Sequence, residues 1–238
     1  AYPSKTVFTI GLPLHEIKNN AVEIPDGSGT RRLTIPGMTS ITVSGATFTM
    51  QYPIDIRIMK HGSVTVTFDV SRESPLYIPP SSRIEDTWIN TINNVEMLFI
   101  PLEVYQIEVV SQSTTISAVA GFHEEYSFND KFFMCRAYRS NNSGGWEEIT
   151  VTYSDVTYDP TLPTVVASVD PLNGTIKVDI PQIYLSSGML RDQLRIDIYT
   201  TKGVLDLTLE NFQSTSFAVR WVDPNITANV DPLGYSSR

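Results

Sequence analysis

The stretch Val165-Val-Ala-Ser-Val-Asp-Pro-Leu-Asn-Gly-Thr-Ile-Lys-Val-Asp-Ile180 decides the fold class. In its second half Ile176, Val178 and Ile180 alternate with Lys177 and Asp179. A period of two sends one set of side chains to a buried sheet face and the other to water. The first half is rich in Val, ends at Pro171 and is followed by Asn173-Gly174, a strong turn signal. The stretch therefore predicts a β-hairpin with one wet face.

The same alternation recurs in Ile54-Asp-Ile-Arg-Ile58, Val64-Thr-Val-Thr-Phe68-Asp-Val70, Ile149-Thr-Val-Thr-Tyr153, Leu194-Arg-Ile-Asp-Ile198 and Leu205-Asp-Leu-Thr-Leu209. Residues 6–10, 32–35, 41–43, 47–52, 104–110 and 132–138 are dense in the Val, Ile, Thr, Tyr and Phe that suit a pleated surface. Turn chemistry separates these runs at Asp26-Gly-Ser-Gly29, Lys60-His-Gly62, Asn141-Asn-Ser-Gly-Gly145 and Lys202-Gly203. A second hairpin is expected around Lys202-Gly203, pairing 194–200 with 204–209. Helical spacing is confined to 83–93, where Ile84, Trp88 and Ile92 follow the capping candidates Ser81 and Ser82. The expectation is an all-β protein of antiparallel β-sandwich-like domains with little helix, although the strand pattern also suits a barrel. Strand-rich sequence gives way to polar His123-Glu-Glu-Tyr-Ser-Phe-Asn-Asp130, which places a boundary between an N-terminal β domain, 1–122, and a C-terminal β-sandwich domain, 123–238. The Asp159-Pro-Thr-Leu-Pro163 segment is a second boundary candidate.

Composition limits what the chain does. Of 238 residues 41% are hydrophobic and 18% charged, which is a globular balance. Seventeen Lys and Arg against 26 Asp and Glu give a net charge of −9, the opposite of the concentrated basic face that a phosphate backbone requires. Nucleic acid is not an expected partner. No run approaches the ~20 apolar residues of a spanning helix, and Ala1-Tyr-Pro-Ser-Lys5 lacks the apolar core of a signal peptide, so neither membrane nor export is expected. The sequons at Asn141, Asn173 and Asn225 then read as turn sequences. The absent initiator Met suggests a processed or trimmed chain, or an excerpt of a longer one.

Candidate chemistry is sparse. The single cysteine, Cys135, lies in the apolar run Phe132-Phe-Met-Cys135 and reads as a buried thiol; with no second cysteine there is no intrachain disulfide. The histidines are His15, His61 and His123, and nothing in the sequence brings one to Cys135. His123, Glu124, Glu125 and Asp130 form the densest set of metal-ligating types, yet neighbours in an extended segment point to opposite faces. Asp26-Gly-Ser-Gly-Thr30 resembles half of a calcium loop but lacks its second carboxylate and terminal Glu. Asp55 with Asp69, and Asp197 with Asp206, are pairs that could lie across neighbouring strands as glycosidase carboxylates do. Trp88, Trp146 and Trp221 lie in or beside turn-rich segments, and Tyr52, Tyr77, Tyr158 and Tyr184 lie close to prolines. Trp146 is expected to cap a hairpin on the core, with a binding platform as the alternative. None of these sets makes a nucleophile with its base or a metal with its ligands. The expectation is no catalytic residue, no cofactor and no metal, hence not an enzyme.

One segment carries a resemblance. The stretch from Val165 to Tyr184, ending in Ile180-Pro-Gln-Ile-Tyr184, with the Ser187-Gly188 connection and Leu194-Arg-Ile-Asp-Ile-Tyr-Thr-Thr-Lys-Gly203, resembles virion structural proteins of tailed bacteriophages, in particular baseplate and baseplate-wedge proteins of contractile-tailed phages. The likeness covers about forty residues, extends less clearly back through 132–160 and includes no catalytic residue. It implies a non-catalytic tail or baseplate component that acts by protein–protein assembly. Its partners would be other tail or baseplate proteins and copies of itself. Its location would be the virion tail, assembled in the host cytoplasm. The alternative is a carbohydrate-binding β-sandwich module of tail-fibre or receptor type.

Overall fold

The computed structural model describes residues 1–68, 87–117, 121–155 and 158–205, and the backbone strands 216–220 and 225–237. The chain forms two compact units, one of 4–106 with 205–238 and one of 107–204 with 1–3.

The first unit opens with β1 (Lys5–Pro13) and a short helix, α1 (Leu14–Asn20), which buries Leu14 and Ile17 one turn apart. There follow β2 (Val22–Glu23), β3 (Arg31–Ile35), β4 (Ser40–Val43), β5 (Ala46–Thr49), β6 (Ile54–Ile58), β7 (Val64–Phe68), β8 (Trp88–Ile92) and β9 (Val95–Gln106). The second unit contains β10 (Glu108–Thr115), β11 (Phe122–Ser127), β12 (Lys131–Ser140), β13 (Trp146–Thr152), β14 (Thr164–Asp170), β15 (Thr175–Ile180), α2 (Gln182–Ser186) and β16 (Gln193–Thr201). The chain then returns to the first unit as β17 (Ser216–Arg220) and β18 (Asn225–Ser237).

In the first unit one sheet runs β17-β18-β1-β9-β5-β4 with β8 also on β9, and a second runs β2-β3-β6-β7. Ile10, Leu12, Ile54, Ile56 and Ile100 are among the side chains that fill its core. Two of its hairpins close by two-residue turns with both residues at positive φ, Ser44-Gly45 and Asn93-Asn94. The second of these overturns the helix expected over 83–93. Trp88–Ile92 is a strand, because the Asn-Asn turn lets it pair with β9; residues 83–86 of that helix lie outside the described residues.

The second unit is a seven-stranded sheet, β10-β16-β12-β13-β14-β15-β11. Its two end strands meet through side chains, Thr114 Oγ1 to Tyr126 Oη at 2.9 Å and Gln112 Nε2 donating to Ser127 O at 3.4 Å, so the sheet curls to a near-barrel. Inside lie Ala137, Val165, Ile176, Val178, Leu194, Ile196 and Ile198. The parallel pair β13–β14 is the exception to antiparallel order, and the connection between its strands carries Pro160 and Pro163. That prolyl segment, a boundary candidate in the sequence, is thus an internal crossover. Tyr184, fully buried, donates from Oη to Asp159 O at 2.5 Å and ties α2 to it.

Three sequence expectations change here. The boundary after residue 122 falls inside the second unit, since β10 and β11 belong to the same sheet; the chain enters that unit at Ile107. The run 104–110, expected as one strand, breaks at that residue into β9 and β10. The hairpin around Lys202-Gly203 does not form, because β16 already has β10 on one edge and β12 on the other; residues 206–209 lie outside the described residues. The hairpin that opened the reading does form. β14 and β15 pair from Asp170–Thr175 back to Val166–Asp179, with a four-residue loop in which Gly174 alone takes positive φ. Asp170 Oδ1 accepts from the Leu172 and Asn173 amides, and its bonds to Asn173 hold the carboxyl below its usual range.

Truncating Ile198, fully buried on β16, to Ala should cost about 2–5 kcal/mol in urea unfolding. Ile183→Ala, at a half-exposed position, should stay within about 0.5 kcal/mol. Gly174→Ala should destabilise by more than about 1 kcal/mol, because φ is +62° and a Cβ would sit 2.8 Å from Phe128 O.

Candidate functional site

Two groupings of polar and aromatic side chains stand out in the second unit. The first lies on the sheet face opposite the core. Register places Arg136 against Asp197 and Tyr138 against Arg195 and Glu148. Arg136 Nε donates to Glu148 Oε1 at 2.6 Å and its Nη2 to Oε2, a bidentate fork. The Arg195 guanidinium lies 4.1 Å from the Tyr138 ring centre and 5.0 Å from that of Trp146. Its Nε is 3.2 Å from Asp197 Oδ1, an ion pair poorly aligned for a hydrogen bond. Burial pushes the Tyr138 and Tyr199 phenols above their ordinary range. These charges neutralise one another, Arg136 with Glu148 across strands and Arg195 with Asp197 along β16, in a ladder whose Arg136 and Asp197 are buried. Trp146 belongs to it: it stands on the face opposite Ile149 and packs on Arg195, not on the core as the sequence suggested.

The second grouping lines a cleft of about 360 Å³ on the outer wall where β11, β15 and the β13–β14 crossover meet. His123 and Asp179 are direct cross-strand partners, and His123 Nδ1 donates to Asp179 Oδ1. Beside them, Lys177 pairs with Glu125 at 3.6 Å. Asp155, Tyr158 and Gln182 complete the polar lining.

The other sequence candidates separate. Alternation along β11 divides His123 and Glu125 from Glu124, so the His123-Glu124-Glu125 set with Asp130 does not converge. Among the described residues no group of three or more His, Cys, Asp or Glu is arranged to hold a metal. Asp26 builds its own turn, accepting from the Ser28 amide at 2.9 Å, and these bonds lower its pKa. Asp55 accepts from Thr34 Oγ1 at 2.7 Å, whereas Asp69, Asp206, Tyr77 and Trp221 lie outside the described residues. His15 on α1 and His61 in the β6–β7 turn are exposed. Of the three sequons, Asn141 and Asn173 are in turns and Asn225 starts β18. Cys135 is buried, 3.5 Å from Tyr153 Oη, and burial pushes its thiol up to about 11. The His123–Asp179 pair and the cleft beside it were not legible in the sequence. Their signal is only the register of two strands 56 residues apart.

No protein-family model matches the chain, and no curated protein matches it. Among solved structures it is similar to a chain of the TssK-TssF-TssG baseplate subcomplex of the type VI secretion system, determined by cryo-electron microscopy. That likeness covers 99% of this chain and 67% of the other, with 8% identity and a TM-score of 0.38. A superposition this loose decides neither fold nor role.

The neutral, buried thiol predicts that Cys135 resists iodoacetamide at pH 7.5 in the native protein and reacts promptly in 8 M urea, as read by mass spectrometry.

Proposed function

We propose that this chain is a structural component of a bacteriophage tail or baseplate that works by protein–protein assembly and has no catalysis of its own. The observation that carries the reading is β8. It pairs with β9 on one edge, and among the described residues no strand pairs with the other. All five of its residues are exposed, including Trp88 at 42%, Ile89 at 48% and Ile92 at 46%. Trp88 is braced by stacking on Phe99 at 5.3 Å with the rings 13° from parallel. A strand whose second ladder edge has no partner among the described residues, and which carries apolar groups on both faces, is a template for a strand from another chain. Trp at such a position is a common interface anchor.

The resemblance of 165–203 to baseplate proteins supports the same reading. In this reading the partners are other tail or baseplate proteins and copies of the chain itself, and its place is the virion tail, after assembly in the host cytoplasm.

Light scattering coupled to size exclusion, across micromolar concentrations and with tail proteins added, tests the proposal. Discrete self-association or co-elution with a tail protein is expected, and the double variant Ile89→Lys/Ile92→Lys should weaken it at least tenfold. A monomer at every concentration that ignores tail proteins would contradict it.

A further inference from the structure

The cleft on the outer wall of the second unit has a composition that assembly does not explain. His123 is fixed by its bond to Asp179, which turns Nε2 toward Gly121 at the lip; a Cβ on Gly121 would lie 3.0 Å from that nitrogen. A glycine there keeps the imidazole edge clear. Tyr158, also in the cleft lining, is 39% exposed and leans on the buried Tyr184 ring, with centres 5.9 Å apart, so its exposed part is held in place. Asp155 and Gln182 stand at the same cleft, and Ile180 adds an apolar contribution to its lining.

This set selects a ligand by chemistry. The carboxylates of Asp155 and Asp179 accept hydrogen bonds, one Asp179 oxygen being taken by His123, and the Gln182 amide, which donates to Ser186 Oγ at 3.1 Å, keeps its second N–H and its oxygen for a ligand. A ligand with several hydroxyl groups satisfies both, and the Tyr158 ring suits an apolar face among them. Sugars have both features, since ring C–H groups stack on aromatics while hydroxyls bond at the rim. Two carboxylates disfavour an anionic sugar. The volume lies at the small end of the ~300–1,000 Å³ typical of ligand clefts, which suits a short ligand.

We infer that the cleft formed by His123, Asp155, Tyr158, Asp179 and Gln182 is a binding site for a neutral saccharide. The site is independent of β8, which belongs to the other unit, so sugar recognition and assembly fail separately.

The test is the full chain on an array of neutral and sialylated oligosaccharides, followed by calorimetry with the best neutral glycan. Binding to neutral glycans is expected, with affinity reduced about tenfold in Tyr158→Ala. Gln182→Ala, at an exposed position where truncation leaves the core intact, should weaken it as well, and Ile89→Lys/Ile92→Lys should leave it unchanged. No glycan binding, a preference for sialylated glycans, or full affinity in both cleft variants would overturn the inference.

Discussion

The second unit depends on β16 being hydrogen-bonded along both edges. Eight consecutive residues of β10, 108–115, pair with it on one side, and β12 pairs on the other through a bulge at 132–134. A strand with both edges occupied leaves almost no backbone group to water, and its apolar side chains can all be enclosed. Leu194, Ile196 and Ile198 are fully buried as a result, and the intervening Arg195, Asp197 and Tyr199 must be satisfied on the other face. The Arg136–Glu148 fork and the aromatic sandwich around Arg195 meet that need. From β16 the sheet extends through β12 and β13 to the crossover and β14, β15 and β11, so the cleft is positioned by strands anchored on this one.

Much of the fold was legible in the sequence, because alternation reports which face of a strand is buried without needing its partner. The runs at 54–58, 64–68, 176–180 and 194–198 all became strands, as did most of the denser β-branched segments. What alternation does not encode is pairing. Lys202-Gly203 has turn chemistry, yet the chain leaves β16 there with both edges of that strand occupied. Trp88 and Ile92 have helical spacing, yet the Asn93-Asn94 turn wins because both residues adopt positive φ at low cost. The domain boundary was missed for the same reason. The switch at Ile107 falls inside the β-rich segment 104–110, with no Gly or Pro to announce it.

The site was less legible than the fold. The sequence proposed clusters of neighbouring residues, and strand geometry dispersed them: His123 and Glu124 point apart, and Cys135 is sealed beside Tyr153. The groups that do converge come from distant parts of the chain. His123 meets Asp179 through register, and Tyr158 reaches the cleft through a crossover whose course depends on Pro160, Pro163 and the Tyr184–Asp159 bond. Trp146 changed role for a similar reason, since its parity on β13 sends it to Arg195.

The account rests on the chain being two units, one of them contributed by 107–204 between the two segments of the other. Native-state hydrogen exchange in rising denaturant, resolved by peptide mass spectrometry, tests this directly. Peptides from 5–13, 95–106 and 225–237 should lose protection together, and those from 122–127, 131–140, 164–180 and 193–201 should do so as a second, separate group. Loss of protection with β1 and β9 grouped with β12 and β16, or with the terminal strand behaving apart from β1, would contradict it.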